Sequence, residues 1–285
     1  MTSKDQLQQL FPKGRISTSR SESEELQLPL SEGVWFTLSK EDLTERELGL
    51  VELLLGELTQ ESQHPWAHYF HGTGPLPQEL TTLQVIHAHI WTVSDEDGRQ
   101  AWLDMMTKLL PNLKAFYTTN GHDYTFVLEQ STLFDVREIL GDTLSAMEFD
   151  FGLRMTLFLG QMWPEKVVGL WPKLVMAEQS IFANWRTHHH QSNLLTFSQL
   201  YLWAGQLYPV LKEGLAPLIV HQQLEKEILA LWQEGAVLTK AAQSLYIHRN
   251  TLQYRLDKWY DWTGLQLKDL TDLAVCYMVI VDTKL

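Results

Sequence analysis

The chain has 285 residues, 45% of them hydrophobic, which is enough to bury a core in one large domain or two to three small ones and excludes global disorder. A formal net charge of −13 excludes a surface coated with nucleic acid or laid on an anionic membrane, but not a local basic face, because charge acts over a Debye length of ~8 Å at physiological salt. The single cysteine, Cys276, excludes an internal disulfide; with no basic-then-apolar start and no run near the ~20 apolar residues of a membrane span, the reading is a soluble cytoplasmic protein with no membrane partner.

Residues 1–78 are expected to be mainly helical. "DQLQQLF" opens with helical spacing, "SRSESEE" reads as a solvated loop, and "GVWFTLS" (33–39) as a short strand. "SKEDLTERELGLVELLLGEL" (39–58) predicts an amphipathic helix, capped by Ser39 or Asp42, with Leu43, Leu50, Leu54 and Leu58 near one face. Pro and Gly then break the periodicity over 64–78, where a boundary is placed.

From about residue 80 the pattern alternates. "LTTLQVIHAHIW" (80–91) predicts a strand, 95–110 a helix with acids in its first turn and Pro111 behind it, and 113–119 and 123–129 two strands joined across Asn120-Gly121. A helix over 131–147 with Ser131 as cap, a strand over 151–163 and a helix over 164–185 broken at Pro172 complete the series. That order is the split βαβ plan, a ferredoxin- or cyclase-like antiparallel sheet with helices on one face, so the expected class is α+β over 79–190. "THHHQSN" (187–193) reads as a linker, the whole of 191–222 as a helical connection, and 223–285 as all helix.

Within 224–259 the sequence predicts three helices. The first buries Ile228, Leu231 and Trp232 and ends at Gly235; Thr239 caps the short, Ala-rich second; "YIH" is a three-residue turn with Ile247 plugged into the core. His248 starts the third, whose buried stripe is Leu252, Leu256 and Trp259. Its other face carries Arg249, Asn250, Thr251 and Gln253, groups that pair with base edges, followed by Tyr254, Arg255 and Lys258, which suit phosphate oxygens. Arg255 lies near the buried flank, where an internal acid could claim it. Residues 239–260 hold four Lys/Arg against one acid, Asp257. A solvated helix with ordinary surface charge has the same periodicity.

"TKAAQSLYIHRNTLQYRLDKWYDWTGLQLKD" resembles the C-terminal helix-turn-helix domain of the PucR/CdaR-type transcriptional regulators over roughly 223–282, most specifically in "HRNTLxYRL" at 248–256. The second helix of that family reads "TAxxL"; here Thr239, Lys240, Ala241, Ala242 and Leu245 match it with one inserted residue. The resemblance implies double-stranded DNA as partner, with His248, Arg249, Asn250, Thr251, Tyr254 and Arg255 in the recognition helix. Binding by such helices further implies a homodimer. The module before this domain in the family often resembles a degenerate GGDEF, or cyclase-like, domain. Residues 79–190 are therefore expected to serve dimerisation or sensing, with a small-molecule effector of unknown identity.

A working cyclase needs acids that hold magnesium at the nucleotide phosphates. Here the hairpin offers His122 and then Asp123, and the first strand offers His87 and His89, so no catalytic residue and no cofactor is expected. His87 and His89, two apart on a strand, share a face and could join a metal site with a third ligand, but packed or surface histidines are the expectation, and His188–His190 read as loop. The rival readings are a cyclase-like nucleotide-processing or nucleotide-sensing protein and a helical protein-interaction module.

Overall fold

The computed structural model describes residues 11–17, 26–31, 34–44, 46–48, 64–110, 112–119, 121–130, 135–222 and 224–284. These fall into two compact units, Met1–Glu61 and Ser62–Leu285.

The first unit departs from the helical expectation. Its described residues form an antiparallel sheet of β1 (Arg15–Ser17), β2 (Leu26–Ser31) and β3 (Val34–Leu38) in the order β1-β3-β2. Val34–Leu38 is rich in β-branched and aromatic residues and takes the centre. Pro29 lies on the edge strand β2, where a missing N–H costs no ladder bond toward solvent. Phe36 and Leu38 are fully buried with Leu26 as their core. The expected caps of the following helix do not act: Ser39 makes no side-chain cap bond, and Lys40–Asp42 is a 3-10 turn. Thr44 takes the part instead. Its Oγ1 accepts from the Glu47 N–H (3.3 Å), and the Glu47 carboxylate accepts from the Thr44 N–H (2.9 Å), a reciprocal capping box. Leu50, Leu54 and Leu58, "DQLQQL", Pro111, Asn120 and Ser131 lie outside the described residues.

The second unit begins with a short helix, α1 (Pro65–Phe70), in the stretch where the periodicity breaks and a boundary was expected. Pro65 supplies the fixed φ of a first turn, His64 caps it, and Trp66, Ala67 and Phe70 are buried. The sheet follows: β4 (Thr82–Val93), α2 (Glu96–Leu109), β5 (Leu113–Thr118), β6 (Asp123–Glu129), α3 (Val136–Phe151) and β7 (Leu153–Leu159). The strand order β5-β6-β4-β7 is antiparallel throughout, as the split βαβ plan requires. The fold is thus mixed α and β, with the sheet in the middle and helices toward the C-terminus.

Three features differ in detail. The cap of α3 is Asp135, accepting from the Glu138 N–H at 3.1 Å, and Gly152 closes the helix in the left-handed conformation at φ 61°. The next helix is not broken at Pro172: a 3-10 turn, Glu165–Leu170, leads into α4 (Trp171–His188), and the proline sits in its first turn, where no N–H is needed. Finally, "THHHQSN" is not a linker. Its first residues finish α4, and Asn193 opens β9 (Asn193–Thr196), which extends the sheet as a parallel neighbour of β7. A two-residue strand, β8 (Trp163–Pro164), pairs with the start of β4.

Both faces of the sheet are covered, not one. On one side α2 and α3 pack Trp102, Met106, Leu140 and Met147 against Ile86, Ile90, Phe126 and Met155. On the other, α4 lays Leu174, Ile181 and Phe182 over Val85, Val127 and Phe158. Two-sided coverage explains why β4 is buried along most of its length, its polar Thr82, Gln84 and His87 included. This second core continues without a break into the C-terminal helices, through α5 (Phe197–Ala204), α6 (Pro209–Gln222), α7 (Glu225–Gln233), α8 (Leu238–Ser244), α9 (Arg249–Thr263) and α10 (Leu270–Lys284). A reciprocal capping box at Thr196 and Gln199 sets where β9 turns into α5. Among the described residues, no helix is long and apolar enough to cross a membrane.

Candidate nucleic-acid interface

α7, α8 and α9 make a three-helix arrangement held by α10. Ile228 and Leu231 of α7, Ala241 and Ala242 of α8, and Leu252, Leu256 and Trp259 of α9 are all buried in one cluster with Leu273, Cys276 and Ile280 of α10. The two alanines carry the close approach of α8 to its neighbours. Trp232, expected inside, is 40% exposed and stacks flat on Tyr277 at 4.4 Å.

Local backbone chemistry fixes the turns. Gly235 (φ 61°) ends α7 in the left-handed region, and Ala236 follows it there at φ 62°. The helix α8 begins at Leu238 with Val237 before it and no side-chain cap, so Thr239 is not a cap; it stands exposed in the first turn. The turn to α9 places Tyr246 at φ 56°, and the Ile247 N–H reaches back to the Ala242 carbonyl at 3.0 Å. A left-handed tyrosine costs roughly 1–2 kcal/mol, and its side chain is 96% exposed, so packing contributes nothing to offset it. His248 then caps α9, its Nδ1 accepting from the Asn250 N–H at 3.2 Å. At the far end Gly264 (φ 69°) closes the helix, its N–H on the Tyr260 carbonyl at 2.8 Å.

The expected reading face divides accordingly. Arg249, Asn250 and Thr251 are exposed in the first turn of α9, with Arg249 Nε loosely against Asn250 Oδ1 at 3.4 Å. Tyr254 is 59% exposed, and the Lys258 ammonium lies 4.8 Å from its ring centroid, a cation–π pair that keeps both on one side of the helix. Gln253 is half-buried and donates to the Asp257 carboxylate, so its amide is engaged within the helix. Arg255 is engaged too: its guanidinium pairs with Glu227 of α7, a carboxylate that is itself almost fully buried. It fastens the third helix to the first. Lys240, counted in the local charge but not among the expected readers, is exposed in the first turn of α8. The structure thus gathers Thr239, Lys240, His248, Arg249, Asn250, Thr251, Tyr254 and Lys258 as exposed groups of α8, the turn and α9, and turns Gln253 and Arg255 to internal partners.

The hairpin where a cyclase-like acid would stand is different in kind. Asp123 Oδ1 lies 2.5 Å from Arg186 Nη1 and 2.7 Å from His89 Nδ1, and Arg186 also contacts His89. His89 further meets Trp91 edge-on at 4.3 Å. His87 points to the α4 face, stacked on Phe158 at 5.8 Å, and burial pushes its imidazole down to about 3, with Arg186 adding to the effect. The two histidines therefore have separate partners. Among the described residues, no three His, Cys, Asp or Glu side chains converge to hold a metal ion. A second buried ionisable group, Glu178 of α4, accepts from the Gln161 N–H and the Trp163 indole, both at 2.9 Å, and burial pushes its carboxyl up to about 8. Gly160 is what lets it in, since a Cβ there would lie 2.5 Å from Glu178 Oε2.

Residues 228–280 match the family model described as the PucR C-terminal helix-turn-helix domain. Over 270 residues the chain is 30% identical to the "Leucine-rich protein" of Streptococcus dysgalactiae subsp. equisimilis, covering 89% of this chain and 94% of that one. It is 19% identical over 269 residues to "Uncharacterized protein YxkF" of Bacillus subtilis (strain 168), 88% of each chain. The solved Regulator of Polyketide Synthase Expression from Bifidobacterium adolescentis aligns at 14% identity and a TM-score of 0.33, over 84% of this chain and 93% of that one, too loosely to bear on how the elements are arranged. The chain belongs to the family of the streptococcal Leucine-rich protein, and its C-terminal helices are a PucR-type helix-turn-helix domain.

Proposed function

We propose that the protein is a sequence-specific DNA-binding transcriptional regulator that acts as a homodimer, with residues 223–285 reading DNA and 79–190 serving dimerisation or sensing. One observation carries the reading: α9 is anchored by Leu252, Leu256 and Trp259 while its first turn leaves Arg249, Asn250 and Thr251 exposed beside Tyr254 and Lys258. That is the geometry of a recognition helix, whose N-terminal residues contact base edges in the major groove. Arg249 suits guanine and Asn250 adenine, while Lys240, Tyr254 and Lys258 suit phosphates. One such helix buries too little surface for tight specific binding, which favours two copies on paired half-sites. The acidic remainder of the chain is no obstacle, because only this face meets phosphate.

A nucleotide-processing reading finds no comparable support, since Asp123 is engaged by Arg186 and His89. Gel shifts on the promoter of the protein's own operon test the proposal. Binding should weaken steeply with salt and fall by at least about tenfold in Arg249→Ala/Asn250→Ala, each good base contact being worth about 1–3 kcal/mol. Salt-independent binding, or an unchanged double variant, sinks it. Sedimentation at working concentration tests the dimer.

A further inference from the structure

Among the described residues seven take a left-handed φ: five are glycines, one is Ala236, and the seventh is Tyr246 at φ 56°. Glycine meets such a turn without strain and asparagine with little, whereas a Cβ bearing a ring is crowded by its own backbone. The turn between α8 and α9 does not call for a ring. Its closure is a backbone matter, with the Tyr246 N–H on the Gln243 carbonyl at 3.1 Å and the Ile247 N–H on that of Ala242 at 3.0 Å. Its apolar plug is Ile247, packed against the core of the C-terminal helices. Tyr246 points the other way and is 96% exposed, the most open of the large hydrophobic side chains described. A residue held in a disfavoured conformation with no packing in return points to a role outside the fold.

The surroundings of Tyr246 indicate the partner. Residues 235–256 contain no Asp or Glu, in a chain that has 35 of them. In that stretch Lys240 and Arg249 stand exposed on either side of Tyr246 in the chain. Such a surface accepts an anion. The Cα of Tyr246 lies within about 11 Å of that of Arg249, three residues on, and the major groove is about 12 Å wide. With Arg249 and Asn250 over the base edges, a side chain projecting from the turn meets the sugar–phosphate wall of the groove, not its floor. Tyrosine suits both parts of that wall: its ring is apolar enough to lie on a deoxyribose, and its hydroxyl donates to a phosphate oxygen.

We propose that Tyr246 is a neutral clamp on the DNA backbone, its hydroxyl on a phosphate bordering the segment that Arg249 and Asn250 read, and that the strained turn is kept because it aims the ring there. The clamp rests on the DNA-binding reading and adds to it a contact that carries affinity without charge. Lysine contacts release condensed counterions and so steepen the dependence on salt, whereas a phenol releases none. The clamp also reads no base, so it serves the operator and an unrelated duplex alike.

The test titrates the full chain onto the promoter of its own operon and onto a scrambled duplex over a range of salt, with melting temperatures measured alongside. Tyr246→Gly should raise the melting temperature by about 1–4 °C, the relief of strain exceeding the added freedom of the unfolded chain. It should also weaken both duplexes about tenfold at every salt, with the salt slope unchanged. Tyr246→Phe keeps the turn and the ring and removes only the hydroxyl. It should leave the melting temperature unchanged and weaken both duplexes about three- to fivefold, a loss that a merely structural role would not produce. Full affinity in Tyr246→Phe, a lowered salt slope in either variant, or a Tyr246→Gly no more stable than the parent overturns the clamp. A loss confined to the promoter sequence makes Tyr246 a base reader and overturns it too. Failure of the parent to bind either duplex overturns the functional reading and the clamp with it, whereas a parent that binds beside variants that bind equally well overturns the clamp alone.

Discussion

Two polar clusters of this protein, each built around an arginine, differ in what their groups touch. At the end of the sheet, Asp123, Arg186 and His89 satisfy one another, with Trp91 packed on the histidine. At the start of α9, Arg249, Asn250 and Thr251 are consecutive and exposed, with Arg249 only loosely against Asn250 at 3.4 Å. A charged group that has its partner inside the fold contributes to stability and is unavailable outside it; one held in place by its backbone alone is free to meet a ligand. The same division runs through α9 itself, where Arg255 belongs to Glu227 and Lys258 rests on Tyr254 at the surface.

The comparison sharpens into variants that should separate folding from binding. The largest effect belongs to the apolar anchor shared by both roles. Trp259→Ala empties a fully buried site and should cost about 3–5 kcal/mol in urea unfolding, taking DNA binding with it. Next comes the internal cluster. Asp123→Ala should destabilise the chain by about 1–3 kcal/mol, discounted from a fully buried pair because both side chains keep some solvent, and leave DNA affinity untouched in the folded fraction. Arg186→Gln added to it should cost less than the sum of the two single changes; strict additivity would break the comparison.

A third prediction concerns pH. The Glu178 carboxyl is raised by burial to about 8, so the folded state keeps a proton that the unfolded state releases near 4.5. Its contribution is therefore full below about 4.5 and is lost as pH rises through about 8. Glu178→Gln should gain stability relative to the parent across that window, read as the difference between two melting-versus-pH curves. His87 works the other way: held near 3, it stays neutral while the unfolded imidazole takes a proton below about 6.5, so it lowers stability as pH falls. The smallest effect is expected at the surface. Lys258→Ala should weaken all DNA sequences alike and reduce the salt slope by about one, with unfolding unchanged. A sequence-dependent loss there would make Lys258 a reader.

The sheet was legible because its signals are local. The β-branched and aromatic content of 80–91, the apolar runs on either side of Asn120-Gly121 and the acids opening α2 each act within a few residues. β9 was not, because "NLLT" is four residues long, runs straight into a helix of the same apolar character, and becomes a strand only by lying parallel to β7, more than thirty residues earlier. In the first unit, Pro29 hid the alternation of Leu26, Leu28 and Leu30, and the capping pair Thr44–Glu47 was passed over for Ser39 and Asp42. The buried stripe of α9 and the doubt over Arg255 both followed from helical spacing. The engagement of Gln253 by Asp257 depends on rotamers, and Thr239 lost its capping role because α8 starts at Leu238, two residues before the expected first helical position. The cavity lined by Gln84, Arg137, Ser198, Tyr260 and Asp272 could not be foreseen, since its walls come from seven elements spread over most of the second unit.

The short edges of the main sheet bear on how copies of this chain can meet. Bare backbone at a sheet margin is an invitation to strand addition, and long flat margins are where chains zip together. Here one margin is β9, only four residues, and the other is β5, six residues interrupted by a bulge between Leu113 and Ala115 and carrying Lys114. Neither offers a run on which a second sheet could be built. Any stable pairing of two copies through this domain is thereby steered to side-chain surfaces, where register is set by shape, and away from open-ended growth by backbone pairing.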